Sequence, residues 1–252
     1  MSLKGVVLAG GEGTRFRPLT YYFQKCMIPI GEEQRPILEY IVRLLRYHGT
    51  KDVVLLVGYK HQQIENYFGH GERFGIEMSY VLDDPNLKGS ANALLNAYKK
   101  GAIRDGDTLL VYYGDILSNV DLAAMIKQHW EKGADATLAL ARRYNISVGK
   151  ADLEGTRITR FIEKPDLMQP VSIGILVLSG SVMKDMVVLQ AEGRFRSFDL
   201  MGDVVSWLVA RGRRVEGYLT DAFWYDVGSI ERYERLSQEK LTEAMGFLLK
   251  GP

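Results

Sequence analysis

Three glycines, an arginine and a lysine near the amino terminus are the first residues whose types and spacing could do chemistry. In Val6-Val7-Leu8-Ala9-Gly10-Gly11-Glu12-Gly13-Thr14-Arg15 an apolar run passes into a glycine-rich loop, and Arg17, Pro18 and Lys25 follow. Glycines let a backbone approach an anion closely and turn its N–H groups toward it, while a guanidinium offers a planar fork and an ammonium a point charge. The combination reads as a cradle for a polyphosphate. Two other glycine loops fail the test. A dinucleotide fingerprint needs a third glycine where this chain has Phe16, and a P-loop needs Gly-Lys-Ser/Thr where it has Gly13-Thr14-Arg15. A plain strand-to-helix turn would explain the glycines but not the cations behind them.

The stretch continues through Phe16-Arg17-Pro18-Leu19-Thr20 to Lys25 and Met27-Ile28-Pro29-Ile30. Further blocks follow: Val57-Gly58-Tyr59-Lys60, Tyr67-Phe68-Gly69, Gly89-Ser90-Ala91-Asn92-Ala93-Leu94, Tyr113-Gly114-Asp115, Phe161-Ile162-Glu163-Lys164-Pro165 and Trp224-Tyr225-Asp226-Val227-Gly228. In content and order these blocks, which span nearly the whole chain, resemble the sugar-1-phosphate nucleotidyltransferases, the enzymes that make nucleotide sugars from a nucleoside triphosphate and a sugar 1-phosphate.

The resemblance implies attack by a phosphate oxygen of the sugar 1-phosphate on the α-phosphorus, with pyrophosphate leaving. Bringing two anions together makes catalysis mostly positioning and cationic stabilisation. On this reading Arg15 holds the β- and γ-phosphates, Lys25 lies near the α-phosphorus, and Arg17 supports them. Lys164 meets the phosphate of the sugar 1-phosphate, and Glu163 accepts hydrogen bonds from sugar hydroxyls. The base and ribose lie against Leu8, Ala9, Gly10 and Gly11 and near the 83–89 loop, with Gly13, Thr14, Asp83 and Gly89 among the nucleotide contacts; Gly114 and Ser172 join the sugar contacts. Asp115, a carboxylate at a strand end beside a glycine, is the first expected Mg²⁺ ligand, and Asp226, by the family pattern alone, the second; Mg²⁺ needs only one or two carboxylates with phosphate oxygens and water. Asp83 and Asp84 could accept from the imino N–H of guanine, uracil or thymine, or be turn residues before Pro85.

Several residues depart from the family pattern. Gln24 and Cys26 stand where prolines commonly flank the lysine, Lys88 adds one residue before Gly89, Asn92 replaces a frequent glycine, and Ser172 stands where asparagine often precedes a Gly-Ile pair. Base and sugar therefore stay open: dTTP, UTP or GTP as donor, glucose or mannose 1-phosphate as first acceptors. Two other functions remain on the table, a non-catalytic nucleotide-sugar-binding regulatory subunit and a transferase for a non-sugar phosphate such as phosphocholine. Cys26, if exposed beside Lys25, would carry a lowered thiol pKa.

Composition sets the frame for these residues. The 252 residues suffice for one α/β domain, read here as a nucleotide-binding half over 1–143 and a sugar-phosphate-binding half over 144–252, ending too soon for the C-terminal β-helix that some relatives carry. With 32 basic and 31 acidic residues and a formal charge of +1, nothing marks nucleic acid or an anionic membrane as a partner. One cysteine excludes an internal disulfide, and His48, His61, His70 and His129 lack zinc-ligand spacing. No apolar run reaches the ~20 residues of a membrane span, and no signal-type segment precedes the first strand. A cytoplasmic protein is expected, and relatives that are commonly dimers or tetramers make a homo-oligomer the expectation.

The elements that must hold the site follow from periodicity. Val6 to Leu8, Val53 to Val57, Met78 to Leu82, Leu109 to Tyr113 and Thr137 to Leu140 read as strands, with helices between them marked by Ile37, Leu38, Ile41, Leu44 and Leu45 after Pro36 and before Gly49, then by Ile64 to Phe68, Ala91 to Tyr98 and Leu122 to Ile126. This alternation predicts a Rossmann-like three-layer αβα fold with a mainly parallel, mixed sheet. Strands near 148–153, 157–163 and 172–178 should bring antiparallel pairing into that sheet, followed by helices near 181–190 and 200–210 and a last helix from Ser229 to about Leu249 that covers the core. Ligands of such sheets bind beyond the carboxyl ends of strands, which points to loops 9–17, 83–90, 114–118 and 163–168.

Overall fold

The computed structural model describes residues 2–145, 148–193 and 195–250. The first apolar run is β1 (Leu3–Ala9). A short pair, β2 (Pro29–Ile30) and β3 (Arg35–Pro36), leads into α1 (Ile37–Tyr47), where Pro36 takes the position before the first turn. Three βα units follow: β4 (Asp52–Val57) and α2 (His61–Phe68), β5 (Glu77–Leu82) and α3 (Ser90–Lys99), and β6 (Thr108–Tyr113) with β7 (Ile116–Ser118) and α4 (Leu122–Lys132). Then come β8 (Ala136–Ala141), β9 (Tyr144–Asn145), β10 (Lys150–Glu154), β11 (Arg157–Ile162), β12 (Asp166–Leu167) and β13 (Val171–Ser179). The chain closes with α5 (Val182–Ala191), a π turn at Leu200–Val205, α6 (Ser206–Ala210), β14 (Val215–Thr220), β15 (Trp224–Asp226), α7 (Ile230–Glu234) and α8 (Gln238–Met245).

Seven strands form the main sheet in the order β14-β8-β13-β6-β1-β4-β5. Six run in one direction and only β13 is reversed, antiparallel to both β6 and β8. Six carboxyl ends therefore share an edge with the amino end of β13. Successive side chains of a strand face opposite ways, so each central strand feeds two cores. Val7, Leu55 and Tyr112 pack with Leu38, Ile41, Ile64 and Met125 on one face, while Val6, Leu56 and Val111 pack with Leu94, Met183, Met186 and Leu208 on the other. These are the expected three layers.

Three expectations need correction. The strands near 148–153 and 157–163 do occur, as β10 and β11, but they pair only with each other and stay outside the main sheet. Every residue of β10 is exposed, so no buried face draws this ribbon onto the sheet. The last helix divides, because Ser237 caps a new start by accepting from the Lys240 N–H at 3.2 Å, although Leu236, Leu241, Met245 and Leu248 do reach the core. The sequence reading assigns no strand to 215–220, yet β14 forms the sheet edge beside β8. Its half-buried residues carry a weaker apolar signal than the central strands.

Candidate functional site

Two adjoining cavities open at the shared strand edge. The larger, about 960 Å³, lies over the ends of β1, β4, β5 and β6, and Leu8, Ala9, Gly10, Gly11, Gly13, Thr14, Arg15, Lys25, Asp83, Gly89 and Asp115 all line it. Every expected nucleotide contact and two of the three expected catalytic residues thus come together, in a volume typical of small-molecule sites. The smaller, about 280 Å³, is lined by Ile116, Tyr144, Ser172, Gly174, Trp224, Asp226 and Arg232 among others.

The glycine loop is held by specific contacts. Gly13 has a left-handed φ of 62°, and a Cβ there would stand 2.9 Å from the Thr20 methyl and 3.0 Å from Cβ of Lys25. Thr20 donates its hydroxyl to the Gly13 carbonyl at 2.9 Å. Gln24, fully buried, donates to the Ala9 carbonyl at 2.7 Å and accepts from the Cys26 N–H at 2.5 Å, while its own N–H reaches Gln63 at 2.7 Å. Gln24 is a site-building residue that sequence reasoning set aside as a departure; its position directly before Lys25 was the available signal. It ties the segment carrying Lys25 to the segment carrying the glycines.

Lys25 is buried, lies 5.5 Å from the centre of the Phe16 ring and donates to Asp115. Asp115 leaves β6 where Gly114 donates its N–H to the Leu8 carbonyl at 3.0 Å. Asp226 ends β15 opposite Ile116 of β7, and the Val227 N–H reaches the Asp115 carbonyl at 2.9 Å. Burial, then the charge of Asp115, pushes the Asp226 carboxyl upward, and the fields of Arg232, Lys25 and Arg15 offset this. Two segments 111 residues apart thereby bring their carboxylates into one field. Arg232 donates to Asp226 at 2.5 Å and to the Tyr144 hydroxyl at 3.3 Å, and Tyr144 stacks on Trp224 at 5.8 Å. Neither Arg232 nor Tyr144 was expected in the site, since no motif block contains them.

The carboxylates fit Mg²⁺ in kind. Asp115 and Asp226 offer hard oxygen donors at the junction of a phosphate-suited loop and a second cavity, and Mg²⁺ takes one or two such groups alongside phosphate oxygens and water. Among the described residues no group of three or more His, Cys, Asp or Glu side chains could hold a metal, so a dedicated protein cage is absent there.

The remaining candidates fall in different places. Ser172 lines the smaller cavity because β13 is reversed and its amino end meets the common edge; the pairing with β8 slips after Ser172, where Gly174 adopts φ 76°. Gly114 is buried, with Cβ space blocked by Cys26 Sγ and the Leu8 carbonyl, each 2.8 Å away, so it permits close strand approach and lines neither cavity. Glu163 and Lys164 follow the β10–β11 ribbon, are exposed and line neither cavity; Glu163 lies over Gly149, and Lys164 has a left-handed φ of 47°. Arg17 pairs with Glu12 at 3.7 Å and lines neither cavity. Cys26 is buried beneath the loop, and burial, reinforced by Asp115, pushes its thiol up to about 12, the reverse of the lowered value expected for an exposed thiol.

Asp83 has a distinctive setting. Its carboxylate crowds the backbone of Gly10 and Gly58, where a Cβ on Gly10 would stand 1.8 Å from Oδ2, and its buried Oδ1 has no hydrogen-bond partner. Burial pushes its carboxyl up to about 6.

Fold and site together define a Rossmann-like α/β protein with a cleft suited to phosphates at the carboxyl edge of its sheet. Residues 4–243 match the nucleotidyl transferase family profile, and the chain belongs to that family. It is 33% identical to a UTP–glucose-1-phosphate uridylyltransferase of Synechocystis over 92% of this chain and 61% of the relative, and 31% identical to a mannose-1-phosphate guanylyltransferase of Mycobacterium tuberculosis over 93% and 63%. The chain thus spans about three fifths of the length of these relatives. Its fold matches that of a putative glucose-1-phosphate thymidylyltransferase from Bacillus anthracis with a TM-score of 0.77 at 22% identity, covering 100% of both chains. No helix among the described residues is long and apolar enough to cross a membrane.

Proposed function

We propose that the protein transfers a nucleotidyl group from a nucleoside triphosphate to a sugar 1-phosphate, with Mg²⁺ as cofactor. The observation that carries the reading is the meeting of Lys25, Asp115 and Asp226 at the junction of the glycine-loop cavity and the smaller cavity. The triphosphate occupies the larger cavity and the sugar the smaller one, so the two substrates face each other across the aspartates. Bound to Asp115 and Asp226, Mg²⁺ would neutralise phosphate charge. The loop N–H groups and Arg15 hold the β- and γ-phosphates, and Lys25 steadies charge at the α-phosphorus. A phosphate oxygen of the sugar 1-phosphate then forms the new bond to the α-phosphorus while its bond to the bridging oxygen breaks, and pyrophosphate departs with the electron pair.

The relatives' names include uridylyl and guanylyl transfer to glucose and mannose 1-phosphates, which sets the order of trial. Asp83, a carboxylate in the wall of the larger cavity, suits a base that presents an imino N–H: uracil, thymine or guanine. Glu163 and Lys164 serve the sugar phosphate if the ribbon carrying them swings toward the smaller cavity. Cytoplasmic location and self-association into a dimer or tetramer complete the reading, the latter open to sedimentation analysis.

The deciding experiment is pyrophosphate release with Mg²⁺ across dTTP, UTP, GTP, CTP and ATP, each paired with glucose, mannose and N-acetylglucosamine 1-phosphates. Turnover in one cell of the grid, abolished by EDTA, is expected. Nucleotide-sugar binding without turnover in any cell would replace this reading with a regulatory subunit, and turnover with phosphocholine alone would change the acceptor class.

A further inference from the structure

Lys88 and Asn92 belong to one hydrogen-bonded bracket. Leu87, Lys88 and Gly89 form a wall of the larger cavity opposite the glycine loop. The Lys88 carbonyl accepts from the Asn92 side-chain amide at 2.8 Å and from the Phe198 N–H at 2.9 Å. On its other side Asn92 accepts, through Oδ1, from the side-chain amide of Gln190 on α5, and Gln190 in turn accepts from Lys99 at 3.1 Å. Asn92 is buried, and neither Asn92 nor Gln190 lines the cavity. The Phe198 carbonyl accepts from the Ala91 N–H at 3.0 Å and stands 2.1 Å from where a Gly89 Cβ would sit, so the wall lies directly on the 198–200 segment.

The order of donors matters. A primary amide has one accepting end and one donating end. With Gln190 donating to its oxygen, Asn92 must aim its NH₂ group at Lys88; reversing the Gln190 end would turn an acceptor toward the wall carbonyl. We infer that Asn92 and Gln190 are positioning residues for this wall, through which α5 sets how sharply the cavity discriminates among nucleotide bases. The inference rests on the nucleotidyl-transfer reading for its ligand.

The test compares wild type with Asn92→Asp, Gln190→Glu and Gln190→Ala, measuring dissociation constants for the five triphosphates by calorimetry and KM and kcat for pyrophosphate release. Asn92→Asp keeps the shape but removes the donor to Lys88, and should raise the preferred triphosphate's Kd about tenfold while leaving kcat within about twofold. Gln190→Glu should rotate the Asn92 amide and weaken binding by about five- to tenfold, whereas Gln190→Ala, which leaves Asn92 free to keep its bond to Lys88, should cost only about two- to threefold. In the first two variants the affinity ratio between the best and second-best base should shrink. A merely structural pair would lower the unfolding temperature without moving that ratio, and an unchanged ratio in both overturns the inference. Gln190 is half-exposed on α5, so its variants keep the test alive if Asn92→Asp does not fold. Amide hydrogen exchange separates the two readings: if wild type binds no triphosphate the nucleotidyl-transfer reading fails, yet Asn92→Asp should still speed exchange of the Phe198 N–H, and equal exchange overturns the bracket by itself.

Discussion

At the scale of single residues, Lys25 and Cys26 are neighbours with opposite characters. Lys25 is turned to Asp115 at the cavity junction, while Cys26 points beneath the loop toward Gly114. Lys25→Met should lower kcat on the order of 10²- to 10³-fold with little change in triphosphate affinity, as expected for a group that stabilises developing charge. A thiol reagent should label Cys26 quickly only after unfolding, because a buried thiol with a pKa near 12 offers almost no thiolate. Rapid labelling of the native protein with loss of activity would refute that placement. Glycine loop, Lys25 and Asp115 were legible in the sequence, since strand-end position and residue type announce them. Arg232 and Tyr144 were not, because their neighbours in the site come from segments distant along the chain.

At the scale of elements, α3 begins where the cavity wall ends, and its first residues are fastened from across the molecule. Ser90 donates to Asp199 at 2.7 Å and accepts from the Leu200 N–H at 2.8 Å, while Gly89 passes against the Phe198 backbone at φ 107°. Gly89→Ala combines a disfavoured φ with a backbone collision, so it should cost at least about 2 kcal/mol and lower the unfolding temperature by at least about 4 °C, with triphosphate binding weakened as well. A variant as stable as wild type would show that the wall is not seated on this segment. The parallel strands and their helices were readable from periodicity, which is set by local side-chain alternation. The β10–β11 ribbon was readable as two strands but not as a separate pair, because alternation shows that a segment is extended and says nothing about which strand it joins.

At the scale of the whole molecule, three ionisable groups, His129 buried and His48 and Asp83 half-buried, shape stability against pH in opposing directions. Burial lowers His48 and His129 below their ordinary 6.5, so each contributes stability that is present above about pH 6.5 and is lost as pH falls. Burial raises Asp83 from 3.8 to about 6, so its contribution is fully present below about pH 3.8 and is lost as pH rises through 6. Between these limits the terms oppose each other. Asp83→Asn should therefore raise the unfolding temperature at pH 7, by about 2–4 °C for each kcal/mol recovered, and make the decline from pH 6.5 to 4 steeper than in wild type. Thermal unfolding across pH checks this, and a variant curve parallel to wild type would contradict it.

The sequence by itself determined the loop that suits phosphates, the cations behind it, the aspartate at a strand end and the alternation that makes a mainly parallel sheet, because all of these depend on neighbours in the chain. The tertiary structure alone decided how the pieces meet: the amino end of β13 carries Ser172 to the common edge, β15 pairs with β7 to set Asp226 near Asp115, and Asn92 reaches from the wall to α5. Those outcomes depend on strand order and on contacts between distant segments, which are chosen by burial of the two sheet faces and leave no local periodicity to read.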